Sequence, residues 1–282
     1  MAKKIVINAD DFGLSRGINE GIINCINAGI VNSVSLVANG SEFEAAVKLL
    51  EKNSGFETGI HFVLTEEKAL LNKKEIPTLV DKGGYFPRNW FSFLGLFCTG
   101  KIKIYEINKE LEAQISKMIH SGIKISHIDS HCHIHLLPGI IDLIIKLANK
   151  YRINFIRIPS EYCAPLRILN KKGLKVLILN LLSYKARKKI KRNGLFCIDS
   201  ALGIYNSGNL NPAVFSGIIR RIRGLPFNSF ELISHPGTRQ AHLAYPHWNY
   251  HWENETRLFT SRETKRLLQE GGISLCNRRS LI

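Results

Sequence analysis

The chain has 282 residues, 45% of them hydrophobic, and a formal net charge of +16. That is enough apolar material for one large core, and a single barrel-type domain reaches this length. No apolar run approaches the roughly 18 residues needed to cross a bilayer. The N-terminus has lysines but no long apolar segment, and two acids follow at once, which does not read as a signal peptide. Six cysteines (Cys25, Cys98, Cys132, Cys163, Cys197 and Cys276) are scattered without a C-x-x-C pair. They read as reduced thiols of a cytoplasmic protein rather than a disulfide frame or a cysteine-type zinc site. The positive charge admits a membrane surface or an anionic substrate as partner. No nucleic-acid motif accompanies it, so no nucleic-acid partner is expected.

In chain order, residues 3–8 read as a buried strand around Ile5, Val6 and Ile7, ending in Ala9-Asp10-Asp11-Phe12-Gly13. Ser15 opens a helix with apolar positions at Ile18, Ile22, Ile23 and Ile26, closed by Gly29. A second strand covers 33–38. Ser41-Glu42-Phe43-Glu44 has the form of a capping box before another helix. Residues 57–64 form a third strand carrying Gly59-Ile60-His61-Phe62. Residues 66–103, with Gly83, Gly84, Pro87, Tyr85, Trp90 and Phe91, read as an irregular flap. A helix over 104–119 precedes a fourth strand at 125–130. Pro138 suits the first turn of the next helix. A fifth strand covers 153–158.

From Lys171 to Arg192 there are nine Lys or Arg and no acid, with Leu174, Leu177, Ile178, Leu181 and Leu182 along one side. This is a basic amphipathic helix that either packs its apolar stripe on the domain or lies on anionic lipid. A strand near 196–198, a helix over 212–222, a strand at 229–234, a helix near 261–268 and a strand near 273–276 follow. Strand and helix alternate about seven times, which predicts parallel strands joined by crossover helices. The expected architecture is a TIM-like (β/α) barrel, irregular or short of eight strands, in one domain spanning 1–282.

The run His127-Ile128-Asp129-Ser130-His131-Cys132-His133-Ile134-His135 alternates chemistry-bearing groups with mostly apolar ones. Taken as a strand, it places four histidines and one aspartate on one face. One or two would touch an ion, and the rest would brace those or face substrate. Asp10 and Asp11 follow the first strand, His61 sits late in the third, His131 ends the fourth, and His235 ends a late one. In a parallel barrel these strand ends share one rim, where chemistry is done. One carboxylate with two imidazoles suits Zn, Fe, Co, Mn or Ni, and completion by water admits Mg. Two adjacent aspartates allow one to bind the ion while the other takes a proton from water. Plainer roles also fit these residues: a helix cap for Asp11, a core histidine for His61, a turn for His235. Arg157 reads as a partner of Asp10 or a substrate contact; His133 and His135 as substrate or metal contacts.

Asn8-Ala-Asp-Asp-Phe-Gly13, Gly59-Ile-His-Phe-Val-Leu-Thr65, the run 127–135 and Ser234-His-Pro-Gly237 together resemble the YdjC-like carbohydrate deacetylases, among them the chitooligosaccharide deacetylases. The resemblance implies a TIM-like barrel that removes acetyl groups from N-acetylated sugars with a divalent metal, commonly magnesium, and often as a homodimer. On the matching positions Asp11, His61 and His131 would hold the ion, Asp10 would be the general base and His235 the acid. Cys132 stands where the family often has a polar residue, on what would be the opposite strand face. The aromatic stretch 242–252 suits either stacking on a sugar or core packing. A lipid-linked or anionic glycan is the alternative substrate. A non-catalytic metal-binding barrel acting at a membrane surface is the alternative outside enzymology.

Overall fold

The computed structural model describes residues 3–162 and 170–281. Cys163 lies outside the described residues. Eight parallel strands form one sheet: β1 (Lys3–Phe12), β2 (Ser33–Leu36), β3 (Glu57–Phe62), β4 (His127–Ser130), β5 (Phe155–Ile156), β6 (Ser200–Leu202), β7 (Ser229–Ser234) and β8 (Ile273–Leu275). The pairing order is β5-β4-β3-β2-β1-β7-β6. The path therefore starts at β1 and grows outward on both sides, as repeated crossovers on a parallel sheet require. β1 sits at the centre, and its Ile5-Val6-Ile7 run is buried because helices cover one face and the barrel interior the other.

The sheet curls until its edges meet. Phe155 of β5 bridges Phe196 in parallel, and Ile156 N donates to Phe196 O at 3.0 Å. Ala201 N donates to Ser160 O, also at 3.0 Å. The seven-strand ring thus closes through a two-residue strand and a few bonds. The strand expected at 196–198 is only that bridge; the regular pairing lies at 200–202. β8 is outside the ring. It pairs with Lys3–Ile5 of β1, below the point where pairing with β2 begins at Asn8.

The helices cover the ring. They are α1 (Arg16–Asn27), α2 (Phe43–Lys52), α3 (Trp90–Cys98), α4 (Ile104–His120), α5 (Ile140–Lys150), α6 (Lys171–Arg192), α7 (Pro212–Gly224), α8 (Arg239–Ala244), α9 (Trp252–Thr260) and α10 (Arg262–Glu270). Ser15 caps α1 through its side chain, as its position predicts. The capping box expected at Ser41 does not form: Ser41 Oγ donates to Leu14 O, and α2 starts after Glu42 without a side-chain cap. The 66–103 excursion contains α3, whose N-cap Asn89 accepts from Ser92 N.

Two local departures from regular strand geometry build the rim. At Asp11 the backbone turns to φ 69°, and the β1–β2 register slips between Ala9 and Phe12. On a regular strand consecutive side chains point to opposite faces; this bulge brings Asp10 and Asp11 to the same mouth. The second departure overturns the reading of 127–135 as a nine-residue strand. β4 stops at Ser130, and Cys132 and His133 take left-handed conformations (φ 54° and 58°) within a short 3-10 segment, His131–Leu136. Alternation therefore ends at Ser130, and each later histidine goes its own way.

Candidate metal centre

Asp11 Oδ1 lies 3.4 Å from His61 Nε2 and 3.3 Å from His131 Nδ1. One ligand atom from each of these residues falls within 4.8 Å of the others. Ligands about 2.1 Å from a divalent ion sit on the order of 3 Å apart, so the spacing suits a shared cation. Asp11 Oδ2 is buried and, among the described residues, has no hydrogen-bond partner. A buried carboxylate oxygen left bare is costly, and a cation or its water would satisfy it. The three-residue set therefore fits a divalent ion.

The histidine orientation supports the same seat. His61 Nδ1 donates to Asp129 Oδ1 at 2.7 Å, leaving Nε2 aimed at Asp11. A carboxylate behind an imidazole in this way fixes the tautomer and raises the ring's basicity as a ligand. Asp129 is itself held by Ser35 Oγ at 2.6 Å and by Arg157 Nη1 at 2.8 Å. A second grouping, Asp10, His61 and Asp129, also converges. Its carboxylates are already bridged by Arg157, which makes it scaffolding rather than a seat. Gly59 makes room beneath: a Cβ there would strike the His127 ring, which packs below Asp129.

Burial alone would raise the Asp11 carboxyl. The hydrogen bond and charge of His131, with the charges of His61 and His235, outweigh it and bring it down to about 2. Burial would lower His61, but Asp129, Asp10 and Asp11 surround it and hold it above the ordinary imidazole range. Burial would also lower His131; the Cys132 sulfur and Asp11 outweigh it and raise the ring. The carboxylates around these imidazoles concentrate negative charge at one point, which a cation would balance.

Asp10 lies beside the seat with three donors on its carboxylate: Arg157 Nη1 at 2.7 Å, Arg157 Nη2 at 2.8 Å and Asn8 Nδ2 at 2.7 Å. A carboxylate has roughly four acceptor positions, so one remains, and Asp10 lines the cavity. His235 stands near it, with Nε2 4.0 Å from Asp11 Oδ2 and its buried Nδ1 without a hydrogen-bond partner among the described residues. Its backbone N–H donates to Glu255 at 2.6 Å, and its ring lies against Tyr250. Burial pushes its pKa down despite the neighbouring carboxylates.

Arg157 and His135 do not fit the substrate-contact reading. Arg157 is fully engaged by Asp10, Asp129 and Glu231 in the barrel interior. His135 folds back under the turn, with Nδ1 at 2.7 Å from Ser130 Oγ and Nε2 donating to Arg157 O at 3.0 Å. Neither has a polar edge left for a ligand. His133 does reach the cavity, with Cys132 and Lys175. Cys132 thus faces the site, because the left-handed turn replaces the strand that would have turned it away.

Sequence reading missed Glu231 and Arg278. Arg278, after β8, is buried and bonds Glu231 at 2.7 Å and Ser33 Oγ at 2.6 Å. Arg278, Glu231, Arg157 and the Asp10–Asp129 pair form a column of alternating charge from the barrel floor to the rim. The alternation of Phe230, Glu231 and Leu232 along β7 is the only local trace of it.

The cavity at the centre measures about 40 Å³, little more than one water's share of the liquid, ~30 Å³. It admits an ion with water, or a small group, but not a sugar ring. Of the aromatic stretch, Tyr250 lines it and Trp248 packs behind the lining His131. Trp248 stacks on His131 at 4.9 Å and donates to Glu66 at 2.9 Å; Tyr245 donates to Glu67 at 2.9 Å. Trp252 is core, whereas Tyr250 lines the cavity. A wider cavity of about 920 Å³ lies under the 66–103 excursion, lined in part by Tyr85, Arg88, Leu96, Glu66 and His247. The last two join it to the wall of the small one.

A family model for YdjC-like proteins matches residues 4–270. The chain belongs to the YdjC-like family. A carbohydrate deacetylase of Clostridium beijerinckii is 30% identical over 275 residues, covering 97% of this chain and 98% of that one. One from Thermoanaerobacter pseudethanolicus is 26% identical over 277 residues, 98% of each. With the carbohydrate deacetylase of Brevibacillus brevis the identity is 37% over 150 residues, 53% of this chain, and the match spans only 57% of that relative's length. A solved protein of Enterococcus faecalis V583 shares this fold, with a TM-score of 0.76 at 24% identity, covering 100% of this chain and 99% of that one.

Proposed function

We propose that the protein is a metal-dependent carbohydrate deacetylase that hydrolyses the acetamide of an N-acetylated sugar. The observation that carries this reading is the convergence of Asp11, His61 and His131 on one cation seat, with Asp10 and His235 in the same small cavity. Relatives matched end to end are carbohydrate deacetylases, which supports the substrate class.

Asp11, His61 and His131 would hold the ion, and the chemistry it would supply there is acidification of a water and polarisation of a carbonyl. Asp10 accepts the proton of the attacking water; the Arg157 fork keeps its carboxylate turned toward the cavity. The water oxygen bonds to the acetyl carbon, the C–N bond breaks, and His235 supplies the proton with which the amine departs. Acetate and the free amino sugar result. Glu255 fixes the His235 backbone, and Tyr250 its ring. The small cavity takes the acetyl group, while the sugar lies in the wider cavity beside Glu66 and His247. Of the ions the donor set admits, magnesium is the one the family resemblance favours. Cytoplasmic residence accords with free thiols at Cys25, Cys98, Cys132, Cys197 and Cys276. A homodimer rests on the resemblance alone.

The test is acetate release from N-acetylated mono- and oligosaccharides by metal-stripped protein with divalent ions restored, beside simple acetyl esters. Release from the sugars is expected. Release from the esters only would assign the centre to another hydrolysis, and release from neither would remove the enzymatic reading.

A further inference from the structure

Helix α6 has two apolar faces. Gly173, Val176, Leu179, Ser183, Ala186 and Ile190 are buried against the barrel. Leu174, Leu177, Ile178, Leu181 and Tyr184 recur at three- and four-residue spacing on the opposite side, and Leu174, Ile178, Leu181 and Tyr184 are 51, 44, 61 and 63% exposed. Of the stripe expected from the sequence, Leu182 packs against the core while Leu174, Leu177, Ile178 and Leu181 stay exposed; the face that meets the barrel is the other one. An amphipathic surface helix normally turns charge outward, and a continuous outward apolar stripe marks a contact surface.

The stripe's surroundings say what covers it. Lys171 and Lys175 edge it, and Lys185, Lys188 and Arg192 continue it toward the far end; all are exposed. No acid lies anywhere in the helix. Lys189 is neutralised by Asp142 at 2.7 Å, and Arg187 bonds the carbonyls of Ile198 and Asp199; among the described residues the other basic groups of the helix form no salt bridge. A second copy set against this face would bring like charges together, which opposes association. An anionic bilayer accepts both features, taking leucines into the headgroup boundary and lysines against phosphate. The apolar half is the half near the active cavity, since Lys175 lines that cavity whereas Lys191 lies by Lys4 at the opposite end of the barrel.

We propose that the outward face of α6 docks this protein on anionic membrane surfaces, with the catalytic mouth beside the headgroups. Among the described residues no helix is long and apolar enough to cross a membrane, so the docking is peripheral. The docking is independent of the deacetylase reading; only calling the mouth beside the headgroups catalytic rests on it.

The experiment is co-sedimentation of the full chain with vesicles of phosphatidylcholine alone or mixed with phosphatidylglycerol, with acetate release from a soluble N-acetylated oligosaccharide measured in parallel. Binding to the anionic vesicles only is expected, weakening as salt rises. The double variant Ile178→Glu, Leu181→Glu is expected to lose about tenfold or more in binding, with unchanged soluble activity and melting temperature. Reversing Lys185 and Lys188 to Glu, which leaves the apolar stripe whole, is expected to abolish the preference for anionic lipid. No sedimentation of the native chain, or equal binding by both variants, would overturn the proposal. So would a native dimer that the Ile178/Leu181 variant splits without any vesicle binding, since a second copy would then cover the face. Loss of acetate release with vesicle binding intact would count against the deacetylase reading instead.

Discussion

Asp129 and Arg157 never reach the mouth, yet they determine what its residues can do. Asp129 holds His61 by Nδ1, so replacing it by Asn should leave the fold but weaken divalent-ion affinity about 10- to 100-fold. Ion-binding calorimetry reads this; affinity equal to wild type would mean that the carboxylate behind His61 is idle. Asp10→Asn should keep the ion at wild-type stoichiometry and lose turnover on the order of a hundredfold to ten-thousandfold. A normal rate in that variant would take the base role from Asp10. At this scale the sequence is legible where a residue's type already names its chemistry: the two aspartates, His61, His131 and His235. It is illegible where a side chain's use depends on who stands beside it. Arg157 looks as able to hold a substrate as to hold a carboxylate until three acids are seen around it.

The rim depends on two breaks in strand geometry, and both escape pattern reading. A period of two is a sound guide through Ser130 and misleading from His131 onward, because two left-handed residues reset the direction of every following side chain. Non-glycine residues take that conformation at a cost, and no Gly or Asn marks it. The packing of α1 behind the His235 loop is tight for a more readable reason. A Cβ on Gly21 would fall on the Gly237 backbone, and one on Gly17 on Gln240 and Ala241. Gly21→Ala should therefore push the His235-Pro236-Gly237 turn outward, destabilise the protein by about 1–3 kcal/mol, and lower turnover while ion binding at Asp11, His61 and His131 persists. Chemical denaturation with parallel ion titration reads both; a variant as active and stable as wild type would show that α1 does not position His235. The position of the basic helix along the chain is legible in the sequence, but spacing alone cannot say which of its two apolar stripes meets the barrel.

In the whole molecule, a barrel this small in bore has filled its axis with charge. Arg278, Glu231, Arg157, Asp10 and Asp129 are each almost wholly buried, and each is matched by its neighbours. Removing one partner strands the others, so Arg157→Met should cost about 3–5 kcal/mol, read as a fall in melting temperature with the ion removed. Glu255 adds a pH dependence. Burial lifts its carboxyl to about 8 from an ordinary 4.5, against the backbone N–H groups of His235 and Leu210 that it accepts. An acid raised in the folded state stabilises the fold below its unfolded value and loses that contribution as pH climbs through the folded one. Denaturant midpoints should therefore decline between about pH 5 and 8, and Glu255→Gln should flatten the decline; a native midpoint steady over that window would contradict this assignment. The alternation of strands and helices, visible in the sequence, is enough to place the rim residues on one face of a parallel barrel. The closure through Phe155 and Phe196, and the seating of β8 below β2, depend on contacts between segments with no shared local signal.

Metal-dependent deacetylation is tested most directly by one titration: acetate release from an N-acetylated oligosaccharide, measured as a divalent ion is added to stripped protein. The expected result is no release without the ion and a rise that saturates at one ion per chain, lost in His131→Ala. Release that is indifferent to the ion, or that survives in His131→Ala with full ion binding, would contradict it.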